Sequence, residues 1–161
     1  MEWLEANWLR PHRSAITGEM IVWLRDVYQI PILATLVILG AETSLGDLTG
    51  QGGPLAESNN FGCIKAASKG AWADTAGPPV TVRGTEWHTW PDAQTGMDAW
   101  GVYLSTYGGG VYLELLRADK WLNFANIYYG ADVAGFAAYM EDLLARVSAI
   151  RAKAAKAGHE L

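Results

Sequence analysis

The sequence contains one cysteine, Cys63, and three histidines, His12, His88 and His159, in 161 residues. A single thiol cannot close a disulfide within the chain or build a thiolate metal cluster, so the fold must depend on its hydrophobic core. The histidines are too widely separated to form a metal-binding motif. We therefore expect no metal and no other cofactor, and we interpret Cys63 as a small buried hydrophobic side chain.

The chain also lacks an excess of basic residues. It has 12 Lys and Arg against 17 Asp and Glu, a formal net charge of -5 and a pI near 5.1. Such a chain offers no basic surface to hold a phosphate backbone. Nucleic acid is therefore not an expected partner.

A long apolar run is missing as well. The apolar segment at residues 30–40 falls short of the roughly 20 residues that a transmembrane helix needs, and it lies too far along the chain for a secretory signal. Glu2 and Glu5 stand where such a signal has basic residues. We expect no membrane insertion. For action outside the cytoplasm we expect release by a phage, a place in the virion, or excision from a longer protein.

Aromatic residues, by contrast, are abundant, with eight Trp and seven Tyr. Half of the chain is hydrophobic, and its length suits one globular domain that buries about 70% of its unfolded surface. Aromatic rings either fill such a core or line a groove that binds sugar faces. We expect this domain to be a monomer.

Helical spacing predicts two helices before residue 46. The first begins at Ser14 or Thr17, both able to cap a helix, and ends near Gln29. Its inner face is predicted from apolar residues spaced 4, 3 and 4 apart: Ile16, Met20, Trp23 and Val27. Pro31 suits the first turn of a second helix, which is apolar on all sides through Leu39 and is therefore expected to be central and buried.

The pattern changes after the second helix. Residues 47–62 are predicted to be loop, with these helix breakers: Gly50, Gly52, Gly53 and Pro54. Residues 65–91 lose the helical period, and valines alternate with polar residues near Thr81. We predict here a small antiparallel β-lobe of two or three strands, with a turn at Gly84 and Thr85.

Helical spacing returns after the β-lobe and continues to the C-terminus. Helices are predicted at about residues 97–107, at Val111–Arg117, and after Asp119 and Asp132, which can cap them; the last is the longest. The sequence thus predicts an α+β fold, mainly α. Its predicted organisation is a lead-in at residues 1–13 and one domain at 14–161.

Glu42 is the only carboxylate in the apolar stretch Leu-Val-Ile-Leu-Gly-Ala-Glu-Thr-Ser-Leu-Gly at residues 36–46. A charge among so many apolar neighbours is costly to desolvate unless it is paired or protonated. We therefore interpret Glu42 as a catalytic acid. The alternative is a glutamate that only forms hydrogen bonds with the neighbouring lobe.

Four segments follow the order of a known set of motifs. They are Ala-Glu-Thr-Ser-Leu-Gly at 41–46, Asn-Asn-Phe-Gly-Cys-Ile-Lys-Ala at 59–66, Trp-His-Thr-Trp-Pro-Asp at 87–92 and Tyr-Gly-Ala-Asp at 129–132. They resemble the Glu-Ser-Gly-Trp-Gly, Asn-Asn-Leu-Phe-Gly-Ile-Lys-Ala, Phe-Arg-x-Tyr-x-Ser and Tyr-Ala-Thr-Asp motifs of the glucosaminidases of glycoside hydrolase family 73, in the lysozyme superfamily. The resemblance covers about residues 16–144.

The resemblance implies a lysozyme-like helical domain with the β-lobe inserted after the second helix. It also implies an endo-β-N-acetylglucosaminidase type of peptidoglycan hydrolase, in which a carboxylic acid protonates the leaving oxygen of a β-1,4 bond. Glu42, in apolar surroundings that raise its pKa, is the residue expected to do this. Peptidoglycan strands are the expected partner, and the bacterial cell wall is the expected site of action.

The same resemblance implies a second carboxylate in or near the β-lobe. Asp74, expected on the first strand of the lobe, is the preferred candidate, with Glu86 and Glu57 as alternatives. The N-acetyl group of the substrate could take this role instead. A lytic transglycosylase, which needs a single acid, and a muramidase are the alternative activities.

The remaining site residues are also carried over from the resemblance. Tyr129, or less favourably Tyr128, is expected across the cleft, where it supports the transition state or orients the acid. Asn60 and Phe61 are expected to line the sugar-binding floor, and Trp90 to bind substrate. Core packing of the tyrosines and turn formation by the asparagine pair are the alternatives. A different class of function, a lysozyme-like module that binds glycan in a phage or cell-wall assembly without cutting it, also stays open.

Overall fold

The computed structural model of the chain describes residues 2–48, 52–159 and 161. These residues form eight α-helices and two β-strands, so the predicted α+β, mainly α, fold class is confirmed. The helices are α1 (Glu2–Leu4), α2 (Gly18–Tyr28), α3 (Ile32–Thr43), α4 (Gly53–Glu57), α5 (Ala93–Thr106), α6 (Val111–Arg117), α7 (Trp121–Ala125) and α8 (Phe136–Lys156). The strands are β1 (Val80–Val82) and β2 (Thr85–Trp87). Within the described ranges, none of these helices combines the length and apolar character required to cross a bilayer.

Helix α3 is the centre of the fold. Every residue from 33 to 39 is at most 4% exposed, and the helix packs mainly along α8. Pro31 immediately precedes its first turn, where the missing N–H of proline costs no helical hydrogen bond. The prediction of a central, buried second helix is confirmed.

Helix α2 begins where the sequence predicted but buries a different face. Thr17 caps it, because the threonine hydroxyl accepts a hydrogen bond from the backbone N–H of Met20 at 3.3 Å. Ile21 and Leu24 are fully buried, whereas Val27, predicted to face inward, is 53% exposed. Both sets of residues have helical spacing, and packing against α5 decides which set is buried.

Residues 47–62 contain a short helix that the sequence did not predict. Helix α4 starts at Gly53, and Pro54 lies in its first turn. The prediction that these residues and Gly52 prevent a helix was wrong, because a proline in the first turn removes no helical hydrogen bond. Gly50, another predicted breaker, lies outside the described residues.

The β-lobe contains an antiparallel hairpin formed by β1 and β2, in which Val80 lies opposite Trp87. Arg83 and Gly84 connect the strands with positive φ angles of 50° and 78°, as a two-residue hairpin turn of this kind requires. The predicted antiparallel lobe is confirmed, with its turn one residue earlier than predicted.

Two helix caps predicted in the C-terminal half were wrong. Helix α7 begins after Lys120 rather than Asp119, and α8 begins after Gly135 rather than Asp132. The carboxylate of Asp119 accepts a hydrogen bond from Arg151 of α8 at 2.6 Å, so a tertiary ion pair takes the place of the local cap. Helix α6 has the bounds that the sequence predicted.

The first residues of the chain pack against the same core. Leu4 and Leu9 are only 5% and 2% exposed. Lys153 of α8 donates a hydrogen bond to the backbone carbonyl of Asn7 at 2.8 Å, and its amine lies 4.3 Å from the ring centre of Trp8. The segment predicted as a lead-in therefore contributes side chains to the core.

Candidate active site

Glu42 lies in the last turn of α3, where the buried helix reaches the surface. The helix ends there because residues 44–46 adopt left-handed conformations, with φ angles of 49°, 60° and 68°. The hydroxyl of Thr43 donates a hydrogen bond to the carbonyl of Phe61 at 3.1 Å. This bond connects the end of α3 to the following loop and thereby fixes the position of Glu42.

A cleft of about 630 Å³ separates Glu42 from the hairpin. The hairpin wall includes Arg83, Thr85 and Trp87, and the remaining wall comes from α4 and Cys63. Thr85 and Trp87 face the cleft together because alternate residues of a strand share a face. The acid is therefore at the edge of an open groove that has an indole on the other side.

The pKa of Glu42 is raised, and the main cause is burial of its carboxyl group. Hydrogen bonds from Cys63 and Tyr139 act in the opposite direction, since they favour the charged form and lower this pKa. The hydroxyl of Tyr139 donates to Oε1 of Glu42 at 3.2 Å, and the thiol of Cys63 also lies 3.7 Å from the main-chain carbonyl of Glu42. Glu42 thus holds its proton to higher pH than an ordinary glutamate does.

Tyr139, on α8, is the residue that sequence reasoning missed. Its only sequence signal is a position next to the apolar stripe of the last helix, which is typical of many surface tyrosines. The ring of Tyr129 stacks on that of Tyr139, with centroids 4.4 Å apart and planes at 19°. Tyr129 therefore reaches Glu42 through another tyrosine, and its own hydroxyl donates to the carbonyl of Ala134 at 3.4 Å.

Tyr128 faces a neighbouring pocket. Its hydroxyl donates a hydrogen bond to the carbonyl of Gly62 at 2.8 Å. Burial, followed by the charge of Glu42, raises the pKa of Tyr128 well above its ordinary value. The phenol therefore stays protonated and links its helical turn to the segment that carries Cys63.

A protonated carboxyl in an apolar cleft can donate its proton to a bound oxygen atom. The phenol of Tyr139 and the thiol of Cys63 then stabilise the carboxylate that remains. Comparison of the chain with protein-family models, curated proteins and solved structures found no match.

Asn60 and Phe61 are placed in the interior rather than on a sugar-binding floor. Both are 0% exposed. The side-chain amide of Asn60 donates to the carbonyls of Ile64 and His88, both at 2.9 Å, and accepts from the N–H of Ile64 at 2.8 Å. The phenyl ring of Phe61 lies against Gly46 at the end of α3, within about 3 Å of where a Cβ would stand. In this structure the two side chains shape the loop from beneath and do not reach the cleft.

Trp90 is also buried, at 4% exposure. Its ring packs against that of His88, with centroids 5.7 Å apart. The tryptophan of this motif that lines the cleft is Trp87, which is the last residue of β2 and immediately precedes His88. In this structure Trp90 therefore presents no exposed ring face to which a substrate could bind.

The three candidates for a second carboxylate all have exposed side chains. Asp74 is exposed and follows a 3₁₀ turn, so its predicted position on a strand was wrong. Glu86 is exposed on the opposite face of β2 from Trp87, and Glu57 is exposed at the end of α4. Of the residues that the structure describes, the cleft around Glu42 is lined by none of these three.

The described residues also contain no group of three or more His, Cys, Asp or Glu side chains that could hold a metal ion. The side chain of His12 lies outside this description. Cys63, interpreted from the sequence as a small buried side chain, is partly exposed and contributes to the wall of the cleft. Among the described residues, the groups that form hydrogen bonds with the Glu42 side chain are the phenol of Tyr139 and the thiol of Cys63.

Proposed function

We propose that the protein is a peptidoglycan hydrolase of the endo-β-N-acetylglucosaminidase type, with Glu42 as its general acid and a lysozyme-like arrangement of helical domain and β-lobe. The observation that carries the proposal is the position of Glu42 at the edge of a cleft, in surroundings that raise its pKa. The four sequence motifs support the substrate class. The bacterial cell wall is then the site of action, reached by release from a phage or as part of its particle.

Cleavage of a glycosidic bond needs a proton on the leaving oxygen while positive charge builds up on the sugar ring. In the proposed reaction Glu42 donates that proton, the bond between the anomeric carbon and the leaving oxygen breaks, and Glu42 becomes a carboxylate. Its negative charge then faces the positively charged ring, until the oxygen of a water molecule bonds to the anomeric carbon and a proton of that water returns to Glu42. The hydrogen bond from Tyr139 strengthens as the carboxyl group becomes charged.

A lytic transglycosylase or a muramidase acting through the same acid is the second candidate. The lytic transglycosylase is favoured by the nature of the groups around Glu42, which are the phenol of Tyr139, the thiol of Cys63 and, across the cleft, the indole of Trp87. None of these readily activates a water molecule as a carboxylate would. A route in which the substrate supplies its own N-acetyl oxygen or hydroxyl needs only the single acid.

A turbidity assay on purified bacterial cell walls tests the proposal, with wild type compared with Glu42→Gln. Glutamine keeps the shape of the side chain but has no proton to donate at the carboxyl, so the variant should lose at least about a hundredfold in rate. Glu86→Gln, an equally conservative change on the outer face of the hairpin, serves as the matched control and should clear walls like wild type. Equal clearing by wild type and Glu42→Gln would show that Glu42 is not the acid. Failure of every protein to clear walls, with glycan binding retained, would favour a non-catalytic glycan-binding module.

Mass spectrometry of the released fragments separates the candidate reactions. A reducing-end N-acetylglucosamine indicates a glucosaminidase, and a reducing-end N-acetylmuramic acid indicates a muramidase. An anhydro sugar indicates a lytic transglycosylase. Each of the three reactions depends on Glu42, so the released fragments should disappear in Glu42→Gln whichever reaction the wild type performs.

Glu42→Gln should also change how stability depends on pH, and this effect tests the raised pKa of Glu42 without an activity assay. Because burial raises the pKa of Glu42 in the folded state, the unfolded chain loses this proton first as pH increases. Wild-type stability therefore falls between the unfolded and the folded pKa, whereas Glu42→Gln has no proton to lose. Urea unfolding at acid and neutral pH should show the variant gaining on wild type by about 1.4 kcal/mol for each pKa unit of the shift.

A further inference from the structure

Four tyrosines line a second pocket beside the Glu42 cleft. Its volume is about 370 Å³, which lies within the roughly 300–1,000 Å³ of typical small-ligand sites. One wall, here called the tyrosine wall, is formed by Tyr103, Tyr107, Tyr112 and Tyr128. The rest of the lining comes from residues 62–68, among them Lys65 and Ser68, and from Ile127. We refer to this space as the tyrosine pocket.

The tyrosine wall is held in place by ring packing. Tyr107 and Tyr112 are stacked, with centroids 5.1 Å apart and planes at 8°, and Tyr103 lies 5.0 Å from Tyr107. Trp72 supports Tyr103 from the β-lobe in an edge-to-face contact at 5.0 Å. Tyr107 is 38% exposed at the edge of this cluster. The wall thus presents a preformed aromatic surface whose ordering cost has been met by folding.

The tyrosine pocket adjoins the Glu42 cleft at Cys63. Cys63 belongs to the walls of both spaces. The charge of Glu42 also contributes to raising the pKa of Tyr103 and of Tyr128, after the larger effect of burial, so the carboxyl lies within electrostatic reach of the tyrosine wall. A chain-like ligand that passes over Cys63 would enter both spaces at once.

We propose that the tyrosine pocket binds one pyranose ring of the glycan strand, adjacent to the ring that the Glu42 cleft holds. A pyranose has an apolar C–H face and a polar rim, and a tyrosine has an apolar face and a hydroxyl at its edge, so the two surfaces match. Aromatic walls with a few polar groups are typical of sites that orient such ligands. This inference rests on the proposed function, because it takes the occupant of the Glu42 cleft to be a glycan.

Binding of chito-oligosaccharides, β-1,4 chains of N-acetylglucosamine, to Glu42→Gln protein tests the proposal by calorimetry. The additional change Tyr107→Ala removes an exposed ring and should weaken binding of the hexasaccharide about tenfold, the equivalent of one aromatic contact. Tyr107→Phe keeps the ring and should stay within about twofold of the parent. Trp23→Ala is the matched control, since Trp23 is a partly exposed aromatic in a separate cleft with Glu19 and Asp98, and it should bind like the parent.

The proposal is overturned if Tyr107→Ala binds the hexasaccharide like its parent, if Trp23→Ala weakens binding to the same extent, or if the parent binds no oligosaccharide. Cleavage by otherwise wild-type protein provides a second measurement, in which Tyr107→Ala should shift the position of the cut along the hexasaccharide. An unchanged cutting position also counts against the pocket. A wild type that cuts no glycan, while Tyr107→Ala still weakens binding, refutes the catalytic proposal and leaves the pocket supported.

Discussion

At the scale of single residues, the state of Glu42 depends on two opposed effects. Burial raises its pKa, and hydrogen bonds from Cys63 and Tyr139 lower it, with burial the larger contribution. The donors do not keep the acid ionised, but they hold one carboxyl oxygen in place. Oε1 accepts the hydrogen bond from Tyr139 at 3.2 Å.

Tyr139→Phe should move the pH dependence of activity to higher pH. Loss of the hydroxyl removes a donor that favours the charged carboxylate, so the pKa of Glu42 rises further and the acid keeps its proton longer. We expect the alkaline limb of the kcat/KM profile on cell walls to shift upward by roughly one pH unit.

The matched control for this experiment is Tyr129→Phe. The hydroxyl of Tyr129 bonds to a backbone carbonyl and its ring still stacks on Tyr139 after the change, so the profile should not move. A downward shift in Tyr139→Phe, or equal shifts in both variants, would contradict the role given to the hydrogen bond between Tyr139 and Glu42.

The residues around the site differ in how well the sequence alone predicts their positions. Glu42 was found because a charge inside an apolar run is unusual in any fold. Asn60 and Phe61 were placed next to the cleft from a motif, but both are buried beneath it. Sequence alone cannot tell which side of a tight loop a side chain occupies, because the loop has no period from which a face can be derived.

At the scale of elements, the position of the cleft depends on how α5 approaches the loop before the β-lobe. Gly96, in the first turn of α5, lies against this loop so closely that a Cβ would stand 2.0 Å from the carbonyl oxygen of Asn59. A backbone atom cannot swing aside as the end of a flexible side chain can. The absence of a side chain at Gly96 therefore allows the contact.

Gly96→Ala should destabilise the protein by about 1–3 kcal/mol in urea unfolding, because the overlap with the backbone outweighs the better helix propensity of alanine. Gly40→Ala is the matched helical control. The closest atom to a Cβ there is in the guanidinium of Arg146, at 3.2 Å, and that side chain can move, while Leu45 at 3.9 Å is in ordinary contact; the change should be neutral or stabilise by up to about 1 kcal/mol. Equal losses in both variants would contradict the tight contact at Gly96.

The existence of the helices was easier to predict than their ends. Helix α3 and the hairpin were predicted from composition and period, which are local properties. The caps at Asp119 and Asp132 were wrong because a tertiary ion pair and a glycine turn replaced them. Asp74 was expected on a strand, although its segment forms a single 3₁₀ turn followed by loop.

At the scale of the whole molecule, the first and last parts of the chain pack together. Trp3 lies 4.7 Å from the ring of His159, and Leu161 packs against the same core. Together with the bond from Lys153 to Asn7, these contacts connect the N-terminal turns to α8, which in turn packs along α3. The helix that carries Glu42 is therefore supported from both ends of the chain.

Leu9→Ala should cost about 2–5 kcal/mol of stability in urea unfolding, because Leu9 is 2% exposed and its truncation leaves a cavity. Leu122→Ala, at a leucine that is 56% exposed on α7, is the control and should change stability by less than about 0.5 kcal/mol. A negligible loss in Leu9→Ala would mean that residues 2–13 do not belong to the core in solution.

The sequence by itself determined the fold class, the buried α3, the hairpin and Glu42 as an acid in an unusual setting, because each of these follows from composition or period within a short stretch. Only the tertiary structure decided which groups surround that acid. Tyr139 is 97 positions away from Glu42 along the chain, and the tyrosine wall comes from four helical segments. Such neighbours meet through packing between elements, and local spacing carries no record of that packing.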